Sequence, residues 1–150
     1  MPVKTASIQD HQELVRIART SRYTQSFSNQ IYSGPQMYER GWIGKFEERG
    51  KIKGLICLRH AVRKKKTVVY DVVVAPEYKG RGIGRALICW AMQTSPFGAI
   101  SLNVDNENKE ALKFYRSLGF KRVGQGEWKS GHKYTTFEIN REKLVCKKKH

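Results

Sequence analysis

A chain of 150 residues has room for one core and too little for two substantial ones, and 39% hydrophobic with 28% charged residues place it among globular proteins rather than disordered or fibrous ones. Its longest apolar runs, Val72 to Ala75 and Leu87 to Trp90, are too short to span a bilayer, and the N-terminus lacks the apolar segment of a secretory signal, so one soluble, cytoplasmic domain with no membrane partner is expected. The charge is the unusual quantity: 29 Lys and Arg against 13 Asp and Glu give +16, a field that attracts nucleic acids, acidic proteins or a phosphorylated cofactor.

In chain order, Val3 to Ala6 reads as a short strand. A helix follows from Asp10, whose carboxylate suits an N-terminal cap with Glu13 three residues on. Phe27, Ile31, Met37 and Tyr38 have loosely helical spacing broken by Gly34-Pro35, which predicts helical pieces between Tyr23 and Gly41. From Ile43 to His60 two β-rich runs flank Glu47 to Lys51, the pattern of an antiparallel hairpin. After the basic break Arg63 to Lys66, Thr67 to Ala75 is so rich in β-branched residues that it reads as a central strand buried on both faces. Ile83, Ala86, Leu87, Trp90 and Ala91 then define an amphipathic helix that ends before Pro96.

Ala99 to Val104 predicts a strand and Asn106 to Leu118 a helix closed by Gly119; Phe120 to Gly124 and Tyr134 to Ile139 are two further strands. Residues from about 142 to 150 are expected to fray, being basic with little apolar content. Cys57, Cys89 and Cys146 are odd in number and widely separated, which predicts reduced thiols rather than a disulfide framework or zinc site. His11, His60 and His150 lack metal-ligand spacing, and no metal is expected.

The chemistry concentrates in Lys79-Gly80-Arg81-Gly82-Ile83-Gly84-Arg85, between the buried strand and the amphipathic helix. Glycines let the backbone turn and approach a ligand, and the helix behind them presents unsatisfied N–H groups to an anion such as a pyrophosphate. A nucleoside-triphosphate loop would need Gly-Lys followed by Ser or Thr, which is missing. A dinucleotide fingerprint survives by spacing, with Ala86 and Asp105 in the required places, but antiparallel hairpin signals before the loop argue against a parallel dinucleotide fold.

These residues resemble the GCN5-related N-acetyltransferase (GNAT) family, whose loop is Gln or Arg, two free positions, Gly, a free position, then Gly or Ala; here Lys79 replaces the first residue. Asn108 to Phe120 is similar to the family's Asn-x-x-Ala-x-x-Phe-Tyr-x-x-x-Gly-Phe helix. The resemblance implies an α/β fold with a mixed, mainly antiparallel sheet of six to seven strands and helices on both faces. It implies acetyl-CoA as cofactor and direct acetyl transfer to a primary amine. Backbone groups at Val72 and Val74 would bind the pantetheine arm where the sheet splays after Val74, Lys79 to Arg85 would hold the pyrophosphate, and Asn108 would contact the pantetheine. Tyr115 would protonate the departing thiolate.

An acceptor ammonium must lose a proton before attack, and Asp71 is the acid nearest the end of the central strand. Strand alternation places it opposite Val72 and Val74 unless a bulge intervenes, which leaves open a structural role; Tyr70, Tyr134, His132, Glu138 and Glu127 are alternatives. The acceptor itself, a small molecule, a protein or a nucleic acid, is left open, as is a monomer or homodimer. The +16 charge makes a nucleic-acid-binding or nucleic-acid-modifying protein on the same scaffold the competing reading.

Overall fold

A computed structural model describes residues 2–24 and 35–146. Seven strands, β1 (Val3–Thr5), β2 (Ile43–Glu48), β3 (Lys51–Ala61), β4 (Lys66–Val74), β5 (Ala99–Asp105), β6 (Lys121–Glu127) and β7 (Lys133–Asn140), form one sheet in the order β1-β2-β3-β4-β5-β7-β6. Every neighbouring pair is antiparallel except β4 and β5, so the expected mixed, mainly antiparallel sheet is present.

Among the described residues four α-helices cover both faces: α1 (His11–Ala18), α2 (Pro35–Glu39), α3 (Ile83–Thr94) and α4 (Lys109–Ser117). On one face Leu14 and Ile17 of α1 and Met37 and Tyr38 of α2 pack with Ile43, Leu55, Cys57 and Val73. On the other, Leu87 and Trp90 of α3 and Leu112 and Tyr115 of α4 pack with Ile56, Leu58, Val69, Leu102 and Phe137. Of the helical pieces expected between Tyr23 and Gly41, α2 lies within the described residues, and 25–34 lie outside them.

Two irregularities of β4 shape everything that follows. Its ladder with β5 stops at Val69 and Leu102, although β4 continues to Val74 and β5 to Asp105. The sheet therefore opens earlier than the expected point after Val74, and the last residues of β4 have no β5 partner in the ladder. Against β3, Leu58 pairs with Val69 but Cys57 pairs with Asp71, leaving Tyr70 as a bulged extra residue. Before the bulge Val69 belongs to the α3–α4 core; after it Val73 belongs to the α1–α2 core.

Three local expectations are corrected. A 3₁₀ turn at Ile8–Asp10 precedes α1, and the Asp10 carboxylate accepts from the Ser7 N–H (2.9 Å) and pairs with the buried ammonium of Lys45 (2.9 Å). Glu13 pairs with Arg16 instead of completing a cap. The C-terminal residues expected to fray are placed as far as Cys146: Leu144 is buried, and Cys146 is joined to Cys89 of α3 by a disulfide, Cα–Cα 5.7 Å. The pairing overturns the expectation of three reduced thiols, because the basic C-terminal segment returns across α3, a proximity that residue spacing cannot reveal. By chain-entropy arguments a link across 57 residues stabilises the fold by about 4 kcal/mol. Thiol titration of unreduced, denatured protein is expected to count Cys57 alone, rising to all three cysteines after reduction; three before reduction would refute the link.

Candidate active site

β4 hands over to α3 through a 3₁₀ turn at Pro76–Tyr78 and the glycine loop. Gly80 and Gly82 both have φ +81°, and a Cβ built on either meets no described residue within 4 Å. Conformation, not crowding, requires glycine there: left-handed backbone is costly for other residues, and the space beside it stays open. Gly82 is the N-cap of α3, so the N–H groups of the helix's first turn lack intrahelical acceptors, and no acidic residue sits in that turn to compete for them. Gly84 serves differently, since a Cβ there would lie 3.0 Å from the Phe114 ring, and its absence lets α3 approach α4.

The open half of the sheet forms a cleft of about 850 Å³. It gathers Val72, Val74, Lys79, Gly80, Gly82, Ile83, Gly84, Arg85, Asn108 and Tyr115, all singled out from sequence. Arg81 is the exception: it is not among the lining residues, and its guanidinium sits 5.6 Å from the centre of the Tyr78 ring. Asn108 caps α4, its Oδ1 accepting from the Ala111 N–H at 3.2 Å. The open edge of β4, the two left-handed glycines and the bare start of α3 fit acetyl-CoA, with an extended amide arm beside the strand and a pyrophosphate at the helix. The cleft is large enough for a cofactor of that class.

A second cavity of about 450 Å³ adjoins the first and shares Val72, Asn108 and Tyr115 with it. Tyr70 of the β4 bulge, Asn103 and Asp105 of β5, and Trp128 and His132 of the β6–β7 loop line it. Tyr115 stands at the junction, 7% exposed, its ring edge-on to Phe114 (5.0 Å) and Phe120 (5.3 Å). Burial, and secondarily the charge of Asp71, push its phenol pKa well above the ordinary value, so it stays protonated. Asp71 is itself buried, pairs with Cys57 in the ladder, and is not among the residues lining either cavity.

A cofactor-sized cleft meeting a smaller pocket at a protonated tyrosine is the geometry of group transfer between two bound molecules. The family model described as acetyltransferase (GNAT) matches residues 9–120. The chain belongs to this family. A relative from Pseudomonas phage PaMx11, named 5-NmdU N-acetyltransferase, is 41% identical over 124 residues, 82% of this chain and 89% of its own. A GNAT acetyltransferase from Bacillus cereus ATCC 10987 shares the fold at a TM-score of 0.78 and 23% identity, covering 93% of this chain and 96% of that one. So does yncA of Salmonella typhimurium, solved with acetyl-CoA, at a TM-score of 0.73 and 15% identity, covering 93% and 92%. This GNAT protein is an N-acetyltransferase that moves an acetyl group from acetyl-CoA to an amine-bearing acceptor.

The residues that the sequence assigned to the cofactor line one cleft together, apart from Arg81, and most of them do so because they are contiguous in the chain. Sequence reasoning missed Thr20 to Tyr23 and Phe114, which complete the first cleft, and Trp128, which lines the second. Thr20 to Tyr23 lie in a polar stretch with no periodicity, and only the fold carries them to the cofactor loop.

Proposed function

We propose that the acceptor is a primary amine carried by a nucleobase in DNA. The observation that carries this reading is the 41% identity, across 82% of the chain, to a relative whose name specifies 5-NmdU as the group acetylated. The +16 charge supports it, since a polyanionic acceptor gains from a basic surface. So do the aromatic rings of Trp128 and Tyr70 in the smaller cavity, which offer flat surfaces to a base drawn out of its stack. DNA and acetyl-CoA meet in the cytoplasm, the location this reading implies.

Within the site we assign the pantetheine arm to the backbone of Val72 and Val74 and to Asn108. The pyrophosphate goes to the N–H groups from Lys79 to Arg85, and Tyr115 is the proton donor to the departing sulfur. Asp71 contributes its charge to holding Tyr115 protonated rather than acting as the base, consistent with its burial away from both cavities.

The test is acetyl transfer from labelled acetyl-CoA to an oligonucleotide bearing an aminoalkyl-substituted deoxyuridine, beside the unmodified oligonucleotide, a basic peptide and small amines. Label is expected in the aminoalkyl oligonucleotide alone. Its affinity is expected to fall about 100-fold between about 50 and 200 mM salt if about four phosphates are neutralised. Transfer to the peptide or small amines but not to the oligonucleotide, or salt-independent binding, would defeat the nucleic-acid reading.

A further inference from the structure

We infer that His132, oriented by Asp105, is the group that deprotonates the acceptor amine. The inference rests on the reading of the smaller cavity as the acceptor site, though not on which amine occupies it.

The geometry is that of a fixed imidazole. The Asp105 carboxylate, 12% exposed at the end of β5, uses both oxygens: Oδ1 accepts from the Glu107 N–H at 2.9 Å, and Oδ2 lies 3.0 Å from His132 Nδ1. A carboxylate held in this way selects the tautomer protonated on Nδ1 and leaves Nε2 with a lone pair. The backbone around the histidine is pinned as well. Trp128 N–H donates to the His132 carbonyl at 2.9 Å, Gly131 N–H donates to the Trp128 carbonyl at 2.9 Å, and Asn106 N–H donates to the Lys133 carbonyl at 2.9 Å. His132 is 49% exposed and lines the cavity that ends at Tyr115, so an amine between the two rings has a proton acceptor on one side and a donor on the other.

The step balances. His132 Nε2 takes one proton from the acceptor ammonium and later passes it to solvent. The freed nitrogen bonds to the acetyl carbon as the carbon–sulfur bond breaks, the Tyr115 hydroxyl supplies the proton of the released thiol, and the second proton leaving the nitrogen restores the phenol. Charged neighbours of the imidazole are Asp105, Glu107 (Oε2 3.8 Å from Nδ1), Lys133 beside it in sequence and Glu127 and Lys129 across the loop. Arg22, after α1, acts electrostatically on Asp105 and Glu107. Asp105, Glu107 and His132 also place one ligand atom each within 4.8 Å of one another, so a bound cation is the competing use of the same side chains.

The experiment measures kcat against pH on any acceptor the enzyme acetylates, oligonucleotide or small amine, for wild type, His132→Ala, His132→Gln and Asp105→Asn. Both His132 variants are expected to lose about 100-fold in kcat and to change the shape of the pH profile, with acetyl-CoA affinity and thermal stability unchanged. Added imidazole should restore part of the His132→Ala rate, and Asp105→Asn should lose about tenfold. Wild-type kcat and pH profile in the His132 variants would overturn the inference. So would activity lost to EDTA and restored by zinc or manganese. Failure of the oligonucleotide as acceptor while a small amine shows the His132 dependence would refute the DNA reading and support this one.

Discussion

Gly82→Glu is expected to weaken acetyl-CoA binding by at least about 100-fold in calorimetry. Two independent effects act in the same direction. The backbone at this residue has φ +81°, which for a residue with a Cβ costs about 1–2 kcal/mol, so the loop would relax away from the shape that aims its N–H groups. The new carboxylate would also stand at the N-terminus of α3, where it occupies the orphan donors and repels a pyrophosphate. No described residue lies within 4 Å of the Cβ position, so crowding adds nothing to the backbone strain, and the loss beyond that strain should fall on binding. Gly82→Asn separates the two effects: asparagine tolerates left-handed backbone and carries no charge, so a loss of only about tenfold is expected. If the glutamate variant bound acetyl-CoA within about threefold of wild type, the assignment of this loop to the phosphates would be wrong.

Tyr115→Phe is expected to lower kcat about 100-fold, equivalent to about 2.7 kcal/mol, while leaving acetyl-CoA affinity within about twofold of wild type. The ring that packs against Phe114 and Phe120 survives the change, so the substitution removes one hydroxyl from a preserved wall. Burial and the charge of Asp71 hold the phenol pKa above the ordinary value of 10.0, so no loss of this donor should show in the rate profile below pH 10. The same elevation makes the phenol a reluctant acid. In the proposed role it would contribute a hydrogen bond that strengthens as negative charge grows on the sulfur, with the proton following. An unchanged kcat in the phenylalanine variant would remove Tyr115 from the chemistry.

The glycine-loop half of the cleft was legible in the chain because its parts are local. Two glycines separated by one residue after a β-branched run and before an amphipathic helix specify a left-handed turn, a helix start and an anion site without reference to anything distant. The strands were legible for a related reason: hairpin partners are close in sequence, and alternation and β-branching mark each run. The smaller cavity was legible only as single residues, Tyr70 and His132 among the alternatives for the base, and not as one site. Tyr70, Asp105, Trp128 and His132 come from β4, β5 and the β6–β7 loop, and no spacing rule connects them.

By itself, then, the sequence determined the strand and helix pattern, the glycine cradle and the tyrosine of α4, all set by backbone sterics and short-range periodicity. Tertiary structure alone decided where β4 leaves β5, that a bulge at Tyr70 turns Asp71 toward the α1–α2 core, that Cys146 reaches Cys89, and that His132 meets Asp105. These depend on the register of one strand against another and on where a distant segment returns. Such contacts are fixed by the packing of the whole domain, because many pairings satisfy the same local preferences and only the shared core selects among them.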